Sequence, residues 1–333
     1  MPAPDRDLTA LPKVELHVHL EGSIEASTAR ELADRHDVAL DVDDGGYPAR
    51  YRDFAHFVAT FVATSGVVRT PDDLAAVAAA FARDRARQRI HWTEATFTAL
   101  TLVRGGMEPA AMWEALRDGF AEVPDVGIGL IVDTIRDLGP DAAHETIRLV
   151  DGADAPIVGL GLTGTEGTVP EEAFAHLRLA ADQLGLGLAV HAGETGGPER
   201  VRAALDVLGA DRVGHGIATL EDAELLARVV REATPLEVCP SSNVALGLVA
   251  DLDHHPLPRL WAAGANVTVN SDDPAFFGTD LTHELAHAVR LCGLTRRDLA
   301  ELQRRAVRAS FAPADVRASI MTAIDGWAAA PVV

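Results

Sequence analysis

The sequence has 333 residues, almost half of them apolar, and a formal net charge of −21. Such an acidic chain argues against a nucleic-acid partner, because phosphate backbones require a basic footprint. No run reaches the ~18 uninterrupted apolar residues of a membrane span, and residues 1–13 lack signal-peptide architecture, so a cytoplasmic protein acting on a small molecule is expected. The two cysteines, Cys239 and Cys292, form no CxxC pair, and a cytosolic setting argues against a structural disulfide. Lys13 is the only lysine, a coding bias from which no function follows.

Short apolar runs alternate with amphipathic stretches along the chain, the pattern of an α/β protein with a parallel sheet. Candidate strands cover 13–19, 90–97, 126–133, 156–162, 187–191, 212–215, 235–239 and 266–271. Eight is the number that closes a (β/α)8 TIM-type barrel, which takes about 250 residues before insertions. One domain over 1–333 therefore accommodates the chain. Helices are expected between the strands at 71–89, 107–120, 171–184, 198–208 and 220–231, with extra C-terminal helices at 281–292, 296–311 and 313–327.

Residues 24–70, after the first strand, are too many for a simple crossover. They contain a Gly-Gly-Tyr-Pro break at 45–48 and an aromatic-rich stretch at 51–61. This helical insertion either packs on the barrel or forms a partial lid over its mouth. No exposed seam distinguishes one oligomeric state from another.

The chemistry begins at the end of the first strand, where Glu15-Leu16-His17-Val18-His19-Leu20-Glu21-Gly22-Ser23 presents two imidazoles on one side, since strand residues two apart share a face. Parallel barrels keep their active sites at this end. Three more polar clusters end the fifth, sixth and eighth strands: His191-Ala192-Gly193-Glu194, Gly214-His215-Gly216 and Ser271-Asp272-Asp273-Pro274. Any one alone could be a satisfied histidine or a helix cap; their convergence on one rim points to a metal site. His17, His19, His191 and Asp272 can hold one ion and leave room for water if the ion accepts a fifth ligand. Such an ion would bring bound water towards a pKa of about 7, with Glu194, His215 and Asp273 beside it as proton-transfer and orienting groups.

Taken in order, HxHLEGS, HAGE, GHG and NSDDP resemble the adenosine deaminase family of amidohydrolase-type barrels, over residues 11–312. The resemblance implies one zinc ion per chain on His17, His19, His191 and Asp272. It further implies that Glu194 protonates purine N1, a task suited to a carboxyl with a raised pKa. His215 would orient or deprotonate the attacking water, and Asp273 would hydrogen-bond N7. His19 and Glu21 would adjoin the substrate, and Gly164 would offer its N–H to N3. The first reading of the reaction is adenosine or 2′-deoxyadenosine to inosine or 2′-deoxyinosine plus ammonia.

Departures from the family pattern bear on the substrate. Adenosine deaminases proper read HLDG and DLAGDE, where this chain has Glu21 and Gly161-Leu162-Thr163-Gly164-Thr165-Glu166. The HLEGS form is similar to relatives acting on adenine or on 6-aminodeoxyfutalosine, a menaquinone precursor with a bulky 5′ substituent. Gly164 leans away from the adenine-specific members, which carry serine there. These two substrates form the alternative reading.

Rival classes are weaker. His283-Glu284-Leu285-Ala286-His287 matches HExxH, the metalloprotease helix motif, but no third-ligand pattern follows it. Cys239-Pro240-Ser241-Ser242-Asn243 lacks the PCxxC of cytidine-type deaminases and reads as a wall of the site. A non-catalytic barrel would be expected to have lost a ligand or Glu194, and a carbamylated-lysine bridge has no lysine on the fourth strand. His254 and His255, in a Pro-rich loop, read as surface or packing residues, and His36, His56, His91, His144 and His176 as satisfied or solvated ones.

Overall fold

The computed structural model describes residues 6–40, 42 and 46–330; Gly45 of the predicted break lies outside them. Among the described residues eight strands pair in chain order, every neighbouring pair parallel. They are β1 (Lys13–His19), β2 (Ile90–Phe97), β3 (Gly127–Ile135), β4 (Ile157–Thr163), β5 (Gly187–Ala192), β6 (Arg212–His215), β7 (Pro235–Val238) and β8 (Asn266–Val269). Val18 bridges Asp272 and brings β8 round to β1, giving the (β/α)8 barrel expected from the sequence.

That closure is made largely by side chains, which explains why β8 ends before the predicted 271. Asn270 Oδ1 accepts the backbone N–H groups of Leu16 at 2.9 Å and His17 at 3.2 Å, in place of a regular ladder. Immediately beyond it, Asp272 N–H donates to the His17 carbonyl at 3.1 Å, and His19 N–H donates to the Asp272 carbonyl at 2.8 Å. The seam of the barrel thus sets Asp272 against both histidines of β1.

Local signals place the helices. The helix Pro71–Arg87 opens with a capping box between Thr70 and Asp73 and with proline in its first turn, and Thr295 with Asp298 repeats the box at Arg296–Ala309. The predicted helix 171–184 divides into a 3₁₀ turn, Glu171–Phe174, and a helix, His176–Leu184. A helix at Gly139–Val150, not singled out from the sequence, fills the β3–β4 crossover. The C-terminal helices Leu281–Cys292, Arg296–Ala309 and Ala314–Ala329 lie close to expectation. Among the described residues no helix is long and apolar enough to cross a membrane.

The insertion after β1 holds the helices Ala26–Arg35 and Phe54–Ser65. Tyr51 and Phe57 bury against Leu246 and Phe276, with Tyr47, Phe54, Phe61 and Phe277 packed around them. This aromatic cluster fixes Phe54–Ser65 across one side of the barrel mouth, and Phe61 comes within 6.2 Å of the His19 ring.

Candidate active site

The C-terminal ends of β1, β5 and β6 deliver four imidazoles to one point, and the turn after β8 adds the carboxylate of Asp272. Ring centroids of His17 lie 4.4 Å from His191 and 4.8 Å from His215, and His19 lies 5.3 Å from His191. Asp272 Oδ1 sits 3.2 Å from His17 Nε2 and 3.3 Å from His19 Nε2. Two of these residues adopt left-handed backbone away from glycine, His215 at φ 58° and Asp272 at φ 63°. Such conformations carry strain and concentrate at functional sites.

The donors fit a metal ion. His17 Nε2 is buried against the Asp272 carboxylate, and the Nε2 atoms of His19 and His191 face each other at 3.3 Å. One potential ligand atom each from His17, His191, His215 and Asp272 falls within 4.8 Å of the others, and His19, Asp272 and Asp273 form a second such group. Ligands about 2 Å from an ion lie up to roughly 4 Å apart, so the cluster holds more donors than a single ion uses. Imidazole with carboxylate suits zinc among other first-row metals.

Behind His17 runs a buried ionic chain absent from the sequence reading. His17 Nδ1 donates to Glu237 Oε2 at 2.9 Å. The other Glu237 oxygen accepts from Arg212, whose Nη2 pairs with Glu94 at 2.6 Å. A carboxylate on Nδ1 would leave the Nε2 lone pair available to a metal ion, the usual arrangement behind a metal-binding histidine. Burial opposes the charged form of His17, but Asp272 and Glu237 outweigh it and push its pKa up to about 10; His19 rises to about 9 beside Asp273 and Asp272. A bound cation acts in the opposite direction on both rings.

Glu194 stands beside this centre, its Oε1 3.6 Å from His215 Nε2. Its loop is gathered by Glu166, whose carboxylate accepts the backbone N–H groups of Gly193 at 2.7 Å, of Glu194 and Thr195 at 2.9 Å, and of Gly196 at 3.3 Å. Burial, then Asp272 and Glu166, raise the Glu194 pKa well above the carboxylate range. Asp273 is raised too, by burial and by Asp272, whereas hydrogen bonds from His17 and His19 overcome burial at Asp272 and hold it well below that range. Adjacent carboxyls therefore have divergent chemistry. Gly22 of HLEGS makes room for Asp273: a Cβ there would lie 1.8 Å from Asp273 Oδ1.

A cavity of about 770 Å³ opens from this centre. It is lined by His19, His191, Glu194, His215, Asp272 and Asp273 at its floor and by Phe54, Phe57, Val58, Phe61 and Val62 of the insertion. Gly164 also lines it, at φ 93°, where a Cβ would meet Asp137 Oδ2 at 2.4 Å. Glu21 does not. It is buried beneath the rim, where Oε1 accepts the Thr98 N–H at 2.8 Å and Oε2 has no partner. The carboxylate that lines the cavity instead is Asp133, which accepts from Thr163 Oγ1 at 2.7 Å, keeps Oδ1 unpaired, and is pushed up to about 7 by burial. Its position near the end of β3 was the only sequence signal that could have found it.

The remaining motifs resolve differently. Glu284 of HExxH is buried and accepts from Ser241 N–H at 3.1 Å and from Thr279 Oγ1, while His283 pairs with Asp280 at 2.8 Å. Neither of its histidines joins a potential ligand group among the described residues. Cys239 is buried, as expected of a packed residue. His254 is exposed, but His255 is 3% exposed and bonded to Asn243 and Leu257. His254 is thus the surface residue and His255 the packing residue of the expected pair, the latter held against Asn243 of the short helix Pro240–Ala245.

Comparison with known proteins agrees with this geometry. Residues 12–327 match the family described as Adenosine deaminase. The aminodeoxyfutalosine deaminase of Streptomyces coelicolor is 40% identical over 98% of this chain and 87% of its own length. That of Streptomyces avermitilis is 39% identical over 97% of this chain and 93% of its own. Among solved structures, the adenine deaminase of Arthrobacter aurescens superposes with a TM-score of 0.90 at 31% identity, covering 96% of this chain and all of that one. The chain belongs to the adenosine deaminase family and is a hydrolytic deaminase.

Proposed function

We propose that this deaminase acts on a 6-aminopurine nucleoside enlarged at its 5′ end, of the 6-aminodeoxyfutalosine type, with zinc as its metal. The observation that carries the reading is the cavity of about 770 Å³, which continues past the polar centre along the aromatic helix Phe54–Ser65. Pockets of ~300–1,000 Å³ suit drug-sized ligands, and free adenine would leave the apolar part of this one unused. The likeness to the two Streptomyces aminodeoxyfutalosine deaminases supports this alternative over the adenosine or 2′-deoxyadenosine reading drawn first from the sequence. At Gly164 a serine would meet Asp137 and would have to hold a left-handed conformation, which leans away from an adenine-specific site.

In this proposal His17, His19, His191 and Asp272 hold the zinc, which when bound supplies an activated water at neutral pH. Glu194 delivers a proton to purine N1 as water adds at C6, a role its raised pKa favours. Asp273, protonated for the same reason, donates to N7, and Gly164 offers its N–H to N3. His215 orients the incoming water. The C6 amino group then leaves as ammonia from a tetrahedral carbon. The insertion walls the mouth and excludes solvent from the substrate tail. Asp133, with its unpaired oxygen, is placed to accept a sugar hydroxyl in the part of the cavity that Glu21 does not reach.

The test is ammonia release and product mass from zinc-loaded protein given adenine, adenosine, 2′-deoxyadenosine and 6-aminodeoxyfutalosine separately. The expected result is deamination of the 6-aminodeoxyfutalosine with the highest kcat/KM. Equal or faster turnover of adenine, or no turnover of any of the four, overturns the assignment.

A further inference from the structure

His215 is neutral or charged, and protonated at one ring nitrogen or the other, according to what lies behind it; what lies behind it is a short chain that begins at a backbone amide. Leu257 N–H donates to His255 Nδ1 at 3.0 Å. A backbone amide can only donate, so Nδ1 is the unprotonated nitrogen of that ring. Burial pushes the His255 pKa down to about 4, which leaves a neutral imidazole with its single proton on Nε2. That proton goes to Asn243 Oδ1, 3.1 Å away. With its oxygen so committed, Asn243 can only turn Nδ2 towards His215, whose Nδ1 lies at 3.4 Å. Each link fixes the direction of the next.

We infer that His255 and Asn243 are positioning residues that hold His215 as the tautomer carrying its proton on Nε2. The inference rests on the deaminase site assigned above. The Nε2–H then faces the reaction centre, 3.6 Å from Glu194 Oε1 and 3.9 Å from Asp272 Oδ2. Two consequences follow. His215 lies within 4.8 Å of the ligand atoms of His17, His191 and Asp272, yet a protonated Nε2 has no lone pair for a metal, so the ring is kept out of the ligand set and His19 completes it. The same N–H donates to the oxygen of the incoming water, turning that oxygen's lone pair towards the purine. A loop histidine and an asparagine of the short helix Pro240–Ala245 thereby separate a water-orienting ring from its ligating neighbours.

Nitrogen-15 long-range NMR of the histidine rings reads this directly, in metal-free and zinc-loaded protein. Wild-type His215 is expected to show a protonated Nε2 and an unprotonated Nδ1. Asn243→Asp, whose carboxylate only accepts, should move that proton to Nδ1. His255→Phe keeps the ring volume but frees the Asn243 amide, and should lower kcat by about 10- to 100-fold, the usual cost of losing a supporting hydrogen bond at a metal centre, with KM and zinc content unchanged. His255→Gln, which retains a donor near the Nε2 position, should recover most of that loss. A proton on Nδ1 in the wild type, or a His255→Phe variant with wild-type kcat, overturns the inference. The expected tautomers together with no turnover of any purine would leave it standing and remove the proposed function instead.

Discussion

Replacing Glu237 by glutamine changes one atom, and its consequence can be worked out from the buried chain behind His17. Glu237 Oε2 accepts the His17 Nδ1 proton at 2.9 Å, and its other oxygen accepts from Arg212. A guanidinium has donors only, so the new amide must turn its oxygen to Arg212 and its NH2 to His17. The imidazole can then satisfy the amide only by accepting at Nδ1, which moves its proton to Nε2, the nitrogen needed by the metal. Losing a partner of this kind typically weakens metal binding about 10- to 100-fold, equivalent to roughly 1.4–2.8 kcal/mol. Arg212 retains Glu94 at 2.6 Å, so the metal-free fold should survive. The assay is zinc affinity by chelator competition, with thermal unfolding of the metal-free protein as the control. An affinity within about twofold of wild type in a folded protein would refute the tautomer argument, since second-shell partners ordinarily cost at least tenfold.

Glu194→Gln should bind zinc normally yet lose about 10²- to 10⁴-fold in kcat, the usual range for a general acid; normal turnover would remove it from proton delivery. His17→Ala and Asp272→Ala should each lose zinc on dialysis while His283→Ala keeps it, and the reverse pattern would move the metal to the HExxH helix. Gly22→Ala places a Cβ where Asp273 Oδ1 now sits, so kcat/KM should fall by about 100-fold, as for a ~1 Å misplacement, with zinc retained; unchanged kcat/KM would mean that Asp273 needs no fixed position. Burial pushes Lys13 down to about 8, so between pH 8 and about 10.5 the unfolded chain binds the extra proton and stability rises with pH. Wild type should therefore gain about 1–3 kcal/mol on Lys13→Met from pH 8 to pH 10 in denaturant unfolding. A difference that stays flat contradicts the buried, deprotonating amine.

The strands were legible because each is a short apolar run bounded by turn residues, a signal contained within its own few positions. So were His17, His19, His191, Glu194, His215, Asp272 and Asp273, because each terminates such a run at the barrel's functional rim. Glu21 was read through the same motif, but the structure turns its carboxylate to the Thr98 amide, and Asp133 of β3 faces the cavity in its stead. Nothing local distinguishes these two acids; the difference lies in which strand each meets. Glu166 carries no local signal of its role, because its four amide partners lie almost thirty residues further on, across the β4–β5 crossover.

Sequence alone thus determined the kind of chemistry: the residue types, their order, and the barrel that gathers strand ends on one face. The tertiary structure decided how each group is used. Glu237 reaches His17 across 220 positions, and Asp272 meets the same ring only because the β8–β1 seam closes through Asn270. Such pairings set which carboxyl stays charged, which takes up a proton, and which imidazole nitrogen is free. A side chain's identity is local, but its pKa and its tautomer belong to the neighbours that the fold brings to it.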